Sequence, residues 1–317
     1  MKAAKQSQRS LPCVSPGNIR LISVCPRLYA DAYRQRSWKL LHGGGAAGRL
    51  LAPSGTGILG SVFQDQVAKP ILLDLADPDS QLSSILQGRH SSAEELQRPL
   101  LQAFIQEYLA NHLQNDLLHQ GRRTYQISAY YSGLETLAEF IASFFEQASE
   151  SSERQFPRFH KPEERIEGVM ELPGVGSIQV APTCDGLLFD CERGEFHVLE
   201  IKCKEEVELA SDLNQLAAYA WMVHHLSGGI AVAGTLLFVG TESKLRHFPA
   251  AELRDLFPVI EKLARLVIEY RSSWGRLKRR MHVPATSSPS NCDRCTLCKK
   301  CEDIYGPRDE ALKKVPT

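Results

Sequence analysis

The segment CDGLLFDCERGEFHVLEIKCK, residues 184–204, decides the reading of this chain. Two short apolar runs, GLLFD and FHVLEIK, flank the polar CERGE with its glycine, which is the grammar of two strands joined by a turn. Along VLEIKCK successive side chains point to opposite faces. Glu200 and Lys202 therefore share one face, and Leu199, Ile201 and Cys203 take the other. Asp185 opens the first strand, so a hairpin brings Asp185 and Glu200 to one edge with the Lys202 ammonium beside them. The two carboxylates and the backbone carbonyl of Ile201 are hard oxygen donors. They suit Mg²⁺ or Mn²⁺, which keep several waters and bind phosphate oxygens. A surface strand of alternating charge has the same pattern, and these three residues alone do not separate the two readings.

Working outward, RIEGVMEL and GSIQVAP precede the hairpin with the same strand composition. From about Arg165 the chain reads as an antiparallel meander. After it comes the helix LNQLAAYAWMVHHL, then the apolar strand GIAVAGTLLFVG, which favours a buried place in a mixed sheet with helices on its faces. Gln215 and Tyr219 are four residues apart in QLAAY and share a helix face that can lie against the strand of Glu200. An amide and a phenol on an apolar helix need polar partners when buried, and a phosphate or metal shell supplies them. Residues 250–271 predict a final amphipathic helix.

Before the meander, NIRLISVCPRLYADAYRQR predicts a helix capped by Asn18 and carrying Cys25. HGGGAAGRLLAPSGTG breaks the pattern. A second helix is expected from near Ile58 through VFQDQVAK, followed by the short apolar run ILLDL. Residues 91–150 read as largely helical, an insert or lid of unassigned role. His112, His119, His224 and His225 fall on expected helices, with packed or solvated roles. Tyr125, Tyr130 and Tyr131 are read as filling a helix interface.

At 317 residues and 43% hydrophobic, the chain can bury a full core. Its 37 Lys plus Arg balance 37 Asp plus Glu, so any contact with nucleic acid must come from a local basic surface. RLKRRMH, residues 276–282, offers one, and equally suits a solvated helix terminus. The N-terminal MKAAKQSQRSLPCVSPG has no apolar core, and no run of about eighteen apolar residues follows, so a cytoplasmic protein with no membrane partner is expected.

Nine cysteines in a reducing compartment favour free thiols or metal ligands over disulfides. Four lie in NCDRCTLCKKC, residues 291–301. A local set of Cys292, Cys295, Cys298 and Cys301 comes close to the bacterial ferredoxin run without its last gap and proline, and zinc sites more often use two separated pairs. Cys13, Cys184, Cys191 and Cys203 read as structural or surface thiols.

The order Asp185, then Glu200, Ile201 and Lys202, then QLAAY at 215–219, resembles the PD-(D/E)xK nucleases in their RecB-like branch, whose motifs are an Asp, an ExK and a QxxxY. The resemblance implies an α/β, restriction-endonuclease-like core: a central mixed sheet flanked by helices, with a helical insert and a C-terminal iron-sulfur cysteine segment. It implies a division into 1–60, 61–160, a nuclease core at 161–249, and 250–317. Asp185 and Glu200 would be metal ligands, Lys202 the catalytic lysine, and Gln215 and Tyr219 would support the site and contact DNA.

Part of that branch, including the AddB type and the CRISPR-associated exonucleases, carries a 4Fe-4S cluster on one N-terminal cysteine and three from a C-terminal CxxCx5C. Cys25 in CPRLY and Cys292, Cys295 and Cys301 match that spacing, and Cys298 is left over. The implied function is a Mg²⁺- or Mn²⁺-dependent DNA exonuclease acting on single strands or ends. CRISPR spacer acquisition with integrase proteins is one implied pathway. Repair or recombination, with a helicase as partner, is another. A catalytically silent iron-sulfur or zinc scaffold that binds DNA is the rival from a different class. Many relatives have GxxxH on an early helix, with the His at the metal site. This chain has GSVFQ, which puts Gln64 at that place.

Overall fold

A computed structural model gives the fold and describes residues 11–34, 63–88, 90–111, 124–146, 158–160, 167–203, 209–240, 242–273, 283, 291–292, 295 and 298–305. The expected helix start near Ile58, the basic RLKRRMH, His112 and His119 lie outside them.

The chain enters through a short strand β1 (Cys13–Val14), then α1 (Pro16–Val24) and α2 (Pro26–Arg34). The cap of α1 is Ser15, whose hydroxyl accepts the Asn18 N–H, with Pro16 at the first helical position, so the expected cap at Asn18 is three residues too late. Cys25 does not ride on a helix. Pro26 disfavours the α conformation in the residue before it, and Cys25 stands extended in the break between α1 and α2.

A π-helical turn, Gln64–Ala68, leads into α3 (Lys69–Leu75). The run ILLDL, expected as a separate apolar stretch, is part of that helix. Next come α4 (Gln81–Leu86), α5 (Ala93–Ala103) with a second π-helical turn at Phe104–Leu109, and the long α6 (Thr124–Glu146).

The strands follow: β2 (Arg158–His160), β3 (Gly168–Leu172), β4 (Gly176–Val180), β5 (Gly186–Asp190) and β6 (Glu195–Lys202). They do not form one meander. β3 and β4 pair antiparallel and, with β1 parallel to β4, make a separate three-stranded sheet. Pro182, in the stretch between β4 and β5, has no N–H for a ladder, and pairing does not continue there. The β3–β4 turn is legible in LPGVG: Pro173 and Gly174, at φ 79°, occupy its centre, and the Val175 N–H returns to the Leu172 carbonyl.

The helix α7 (Leu209–Leu226), strands β7 (Val232–Phe238) and β8 (Lys244–Phe248), helices α8 (Ala250–Asp255) and α9 (Phe257–Ser273), and the terminal α10 (Cys298–Tyr305) complete the chain. The expected single helix at 250–271 breaks at Leu256, where Pro258 opens a new first turn. The main sheet runs β2-β5-β6-β7-β8. Its β6–β7 pair is parallel, and α7 supplies the crossover that a parallel pair requires.

The main sheet is covered on both faces. On one lie α1, α2, α7, α8, α9 and the small sheet, packed on Leu187, Val198 and Leu236. On the other lie the helices of residues 63–142, packed on Leu188, Leu199, Ile201 and Leu237. The helical segment that the sequence leaves without a role therefore closes half of the sandwich. Alternation along β6 assigns Val198 to the first core and Leu199 and Ile201 to the second, as the spacing predicts.

α7 is buried along most of its length and apolar nearly all round, which marks a helix inside the protein. It sits close to β7: a Cβ on Gly234 would come within 2.9 Å of Leu216. On the opposite face, a Cβ on Gly133 of α6 would come within 2.9 Å of Val239.

Candidate active site

The β5–β6 register pairs Gly186 with Leu199, which sets Asp185, one residue beyond the ladder, beside Glu200. The Asp185 carboxylate takes the place of a strand at that point: its Oδ2 accepts the Ile201 N–H at 2.7 Å. From β6, Glu200 and Lys202 point together toward α7. The Lys202 ammonium donates to Glu200 Oε1 at 2.5 Å and to Gln215 Oε1 at 2.9 Å. The Gln215 amide returns hydrogen bonds to Glu200 Oε1 at 2.9 Å and to the Tyr219 hydroxyl at 3.3 Å. Tyr219 donates in turn to the Thr183 carbonyl at 2.7 Å, which ties α7 to the backbone just before Asp185. All five side chains expected at the site are thus in one hydrogen-bonded constellation or beside it. Ile201 contributes its N–H to Asp185 and lines the adjoining cavity.

Glu200, at 4% exposure, has one oxygen oversupplied and one undersupplied. Oε1 takes both Lys202 and Gln215, while Oε2 is buried with no hydrogen-bond partner. Leaving a buried acceptor unmatched costs about 1–3 kcal/mol, more when it is charged. Asp185 is under similar stress. Burial first and the Glu200 charge second push its carboxyl up from 3.8 to about 7, against the pull of Lys202, the Ile201 N–H and Gln64. Burial, with Glu200 and Asp185 behind it, also holds the Tyr219 phenol well above its ordinary value, so it stays a donor.

Two crowded carboxylates with one orphaned oxygen are a deficit that a divalent cation repairs, and the hard donor set fits Mg²⁺ or Mn²⁺. Among the described residues no three His, Cys, Asp or Glu side chains are grouped to hold a metal ion alone. Asp185 and Glu200 supply two carboxylates, the usual protein share of a Mg²⁺ shell whose remainder is water and substrate phosphate.

A cavity of about 180 Å³ opens beside Asp185, between the helix Gln64–Leu75 and the sheet. Gln64 borders it, and its amide donates to Asp185 Oδ1. Gln64 therefore stands at the site, contributing a donor and not an imidazole. Lys69, which the motifs do not mark, lines the same cavity. The signal for it is the spacing, five residues past Gln64 on a helix interrupted by Pro70.

Cys25, Cys184, Cys295 and Cys301 all pack at the edge of the first core. The Cys25 thiol is pushed up to about 11, by burial first and by the proximity of Cys301 and Cys292 as well. The Cys301 thiol is raised too, by burial and by Cys292 and Cys295, and is opposed by a hydrogen bond from the buried Arg27. Cys25 Sγ also accepts the Leu28 N–H at 3.4 Å. Arg27 Nε donates to the Val283 carbonyl at 2.9 Å, tying the two chain ends together. Soft sulfurs with N–H donors suit a thiolate-bound metal or cluster. As placed, no three of them form a closed ligand group.

Cys184 lines the cavity, with its thiol driven upward by burial and by the carboxylates of Glu200 and Asp185. Tyr130 is buried against Phe63, Tyr131 is exposed, and Tyr125 falls on α6. His224 and His225 bond to the Ile230 and Trp221 carbonyls, His224 half-buried and His225 exposed, in line with the packed or solvated roles expected of them. Among the described residues no helix is long and apolar enough to cross a membrane.

The PD-(D/E)XK nuclease superfamily profile matches residues 74–302, and the chain belongs to that superfamily. Its members are nucleases that typically use Mg²⁺ or Mn²⁺, and the mixed sheet between helical layers agrees with their restriction-endonuclease-like fold. No curated protein matches the chain.

Proposed function

We propose that the chain is a metal-dependent deoxyribonuclease that cuts phosphodiester bonds at Asp185, Glu200 and Lys202, working as an exonuclease on single strands or DNA ends. The observation that carries this reading is Glu200 Oε2, a buried carboxylate oxygen without a donor, beside an Asp185 that is itself short of compensating charge. Asp185 and Glu200 would hold the cation. When bound, it supplies Lewis-acid polarisation of the phosphoryl group and eases deprotonation of an attacking water.

The chain's own residues do the rest. Gln215 and Lys202 occupy Glu200 Oε1 and so leave Oε2 for the ion. Lys202, held by two acceptors, orients water and offsets charge developing on the phosphate. Tyr219 locks the Gln215 amide and the Thr183 backbone in register. At about 180 Å³ the cavity is below the ~300–1,000 Å³ of pockets that enclose a whole drug-sized ligand, which suits one part of a polymer passing through.

In the same reading Cys25, Cys292, Cys295 and Cys301 hold a 4Fe-4S cluster that fastens the chain ends, and Cys298 is no ligand. The soft donor set and the Arg27 and Leu28 hydrogen bonds to sulfur support it. CRISPR spacer acquisition alongside integrase proteins, or end processing with a helicase, would both use this chemistry. The test is degradation of end-labelled single-stranded DNA with Mg²⁺ or Mn²⁺ by the wild type and by Glu200→Ala. Equal activity in both removes the assigned centre, and a wild type that only binds DNA leaves the silent scaffold. Iron and sulfide content of the anaerobically purified protein tests the cluster.

A further inference from the structure

We propose that Lys69 receives a backbone phosphate of the substrate strand next to the one that is cut, so that the helix face from Gln64 to Leu72 is a strand-binding wall. The inference rests on the nuclease reading above and names a contact that reading does not contain. Lys69 precedes the matched span 74–302, and none of the motifs that carry the resemblance marks it.

The geometry begins with Pro70. A proline inside a helix has no N–H to give and its ring crowds the carbonyl one turn back. Here the turn before it is widened: the Lys69 N–H reaches the Gln64 carbonyl, five residues earlier. Single π-helical turns of this kind recur at functional sites. The widened turn presents Gln64, Ala68 and Lys69 to the cavity, opposite Thr183, Asp185 and Ile201. Ala68 leaves room between the two polar residues.

Charge makes the case specific. Among the described residues lining this cavity Lys69 is the one Lys or Arg, and Lys202 lies outside the lining, buried between Glu200 and Gln215. The other ionisable side chains among the described residues of the lining are Cys184 and the carboxylates Asp185 and the exposed Asp65. A cation at Asp185 and Glu200 serves the scissile phosphate. The adjoining phosphate of the same strand then meets a wall whose remaining carboxylate repels it, and Lys69 is the group that offsets this. A contact to phosphate carries no base information, so it serves any sequence.

The test is binding of a fluorescent oligothymidylate, followed by anisotropy in EDTA over a salt series, for the wild type, Lys69→Gln and Lys69→Arg. Lys69→Gln is expected to bind about three- to tenfold more weakly at low salt. It should also lower the slope of log K against log salt by about 0.7, the value of one phosphate contact on a single strand. Lys69→Arg should restore both, and the loss should be the same on mixed-sequence strands. With Mg²⁺ present, Lys69→Gln should raise KM and leave kcat within about twofold.

An unchanged salt slope in Lys69→Gln, from a wild type that binds and cuts DNA, overturns the inference and leaves the nuclease reading standing. A wild type that neither binds nor cuts overturns both. Retention of the wild-type melting temperature by Lys69→Gln separates a lost contact from a misfolded variant.

Discussion

The carboxylate centre and the cysteine cluster are built in opposite ways. The first comes from one hairpin and the helix that follows it, residues 183–219, and it closes almost entirely through its own hydrogen bonds. The second draws on residues 25–28 and 283–301, from the two ends of the chain, joined by Arg27 and by Asn291, whose amide reaches the Val24 carbonyl at 3.4 Å. The difference teaches where each is vulnerable. The centre is held by near neighbours in the chain, whereas the cysteine segments are held by contacts between distant ones, a tie that the proposed cluster would strengthen.

The sharpest way to break the comparison is Glu200→Ala. It should lower the rate of single-strand cleavage by about three orders of magnitude or more, measured under single-turnover conditions. Its melting temperature without metal should fall, since the buried Lys202 ammonium is left without its charge partner. Cys25→Ser should leave the carboxylate centre intact and, in the cluster reading, shed most of the iron and lower the melting temperature by at least about 5 °C, while Cys298→Ser changes neither. Iron analysis and calorimetry on the same samples check both.

Gln215→Leu touches no substrate atom in the proposed mechanism, yet it frees Lys202 and the second acceptor site on Glu200 Oε1. A loss of about 10–100-fold in cleavage is expected, with Mn²⁺ affinity by electron paramagnetic resonance falling in parallel.

Asp185 adds a pH test. Because the fold raises its carboxyl from 3.8 to about 7, folding without metal takes up a proton. The stability that this contributes is complete below pH 3.8 and is lost as pH rises through about 7. The melting temperature of metal-free wild type, taken relative to Asp185→Asn, should therefore fall between pH about 4 and about 7 and level off above. Saturating Mg²⁺ should reverse that fall. Gln64→Leu is the mildest change: it removes one donor from Asp185 Oδ1, and a two- to tenfold weaker Mn²⁺ affinity is expected.

The centre was legible in the sequence because its residues sit in register with local periods. A spacing of two puts Glu200 and Lys202 on one face of β6, and a spacing of four puts Gln215 and Tyr219 on one face of α7. What escaped depends on partners far along the chain. Alternation says which way the side chains of β4 point but not which strand it joins, so its union with β1 in a second sheet was hidden. The apolar faces of α3 to α6 say that they are buried, not that they lie on Leu188, Leu199 and Ile201. Pro26 and Pro70 carried more information than the helical periodicity around them. One lifts Cys25 out of a helix, and the other widens the turn that presents Lys69.

The close approach of Gly234 to Leu216 has a consequence for evolution. Leu216 adjoins Gln215, so even a single methyl group on β7, far in sequence from the reacting atoms, would press on the Leu216 side chain, and any part of that pressure taken up by the helix would move the Gln215 that aligns Lys202. A displacement of about 1 Å at such a position can cost a hundredfold in rate. Drift at residue 234 would therefore be purged through lost turnover even where the protein still folds, and a core glycine would be policed as strictly as the acids it never meets.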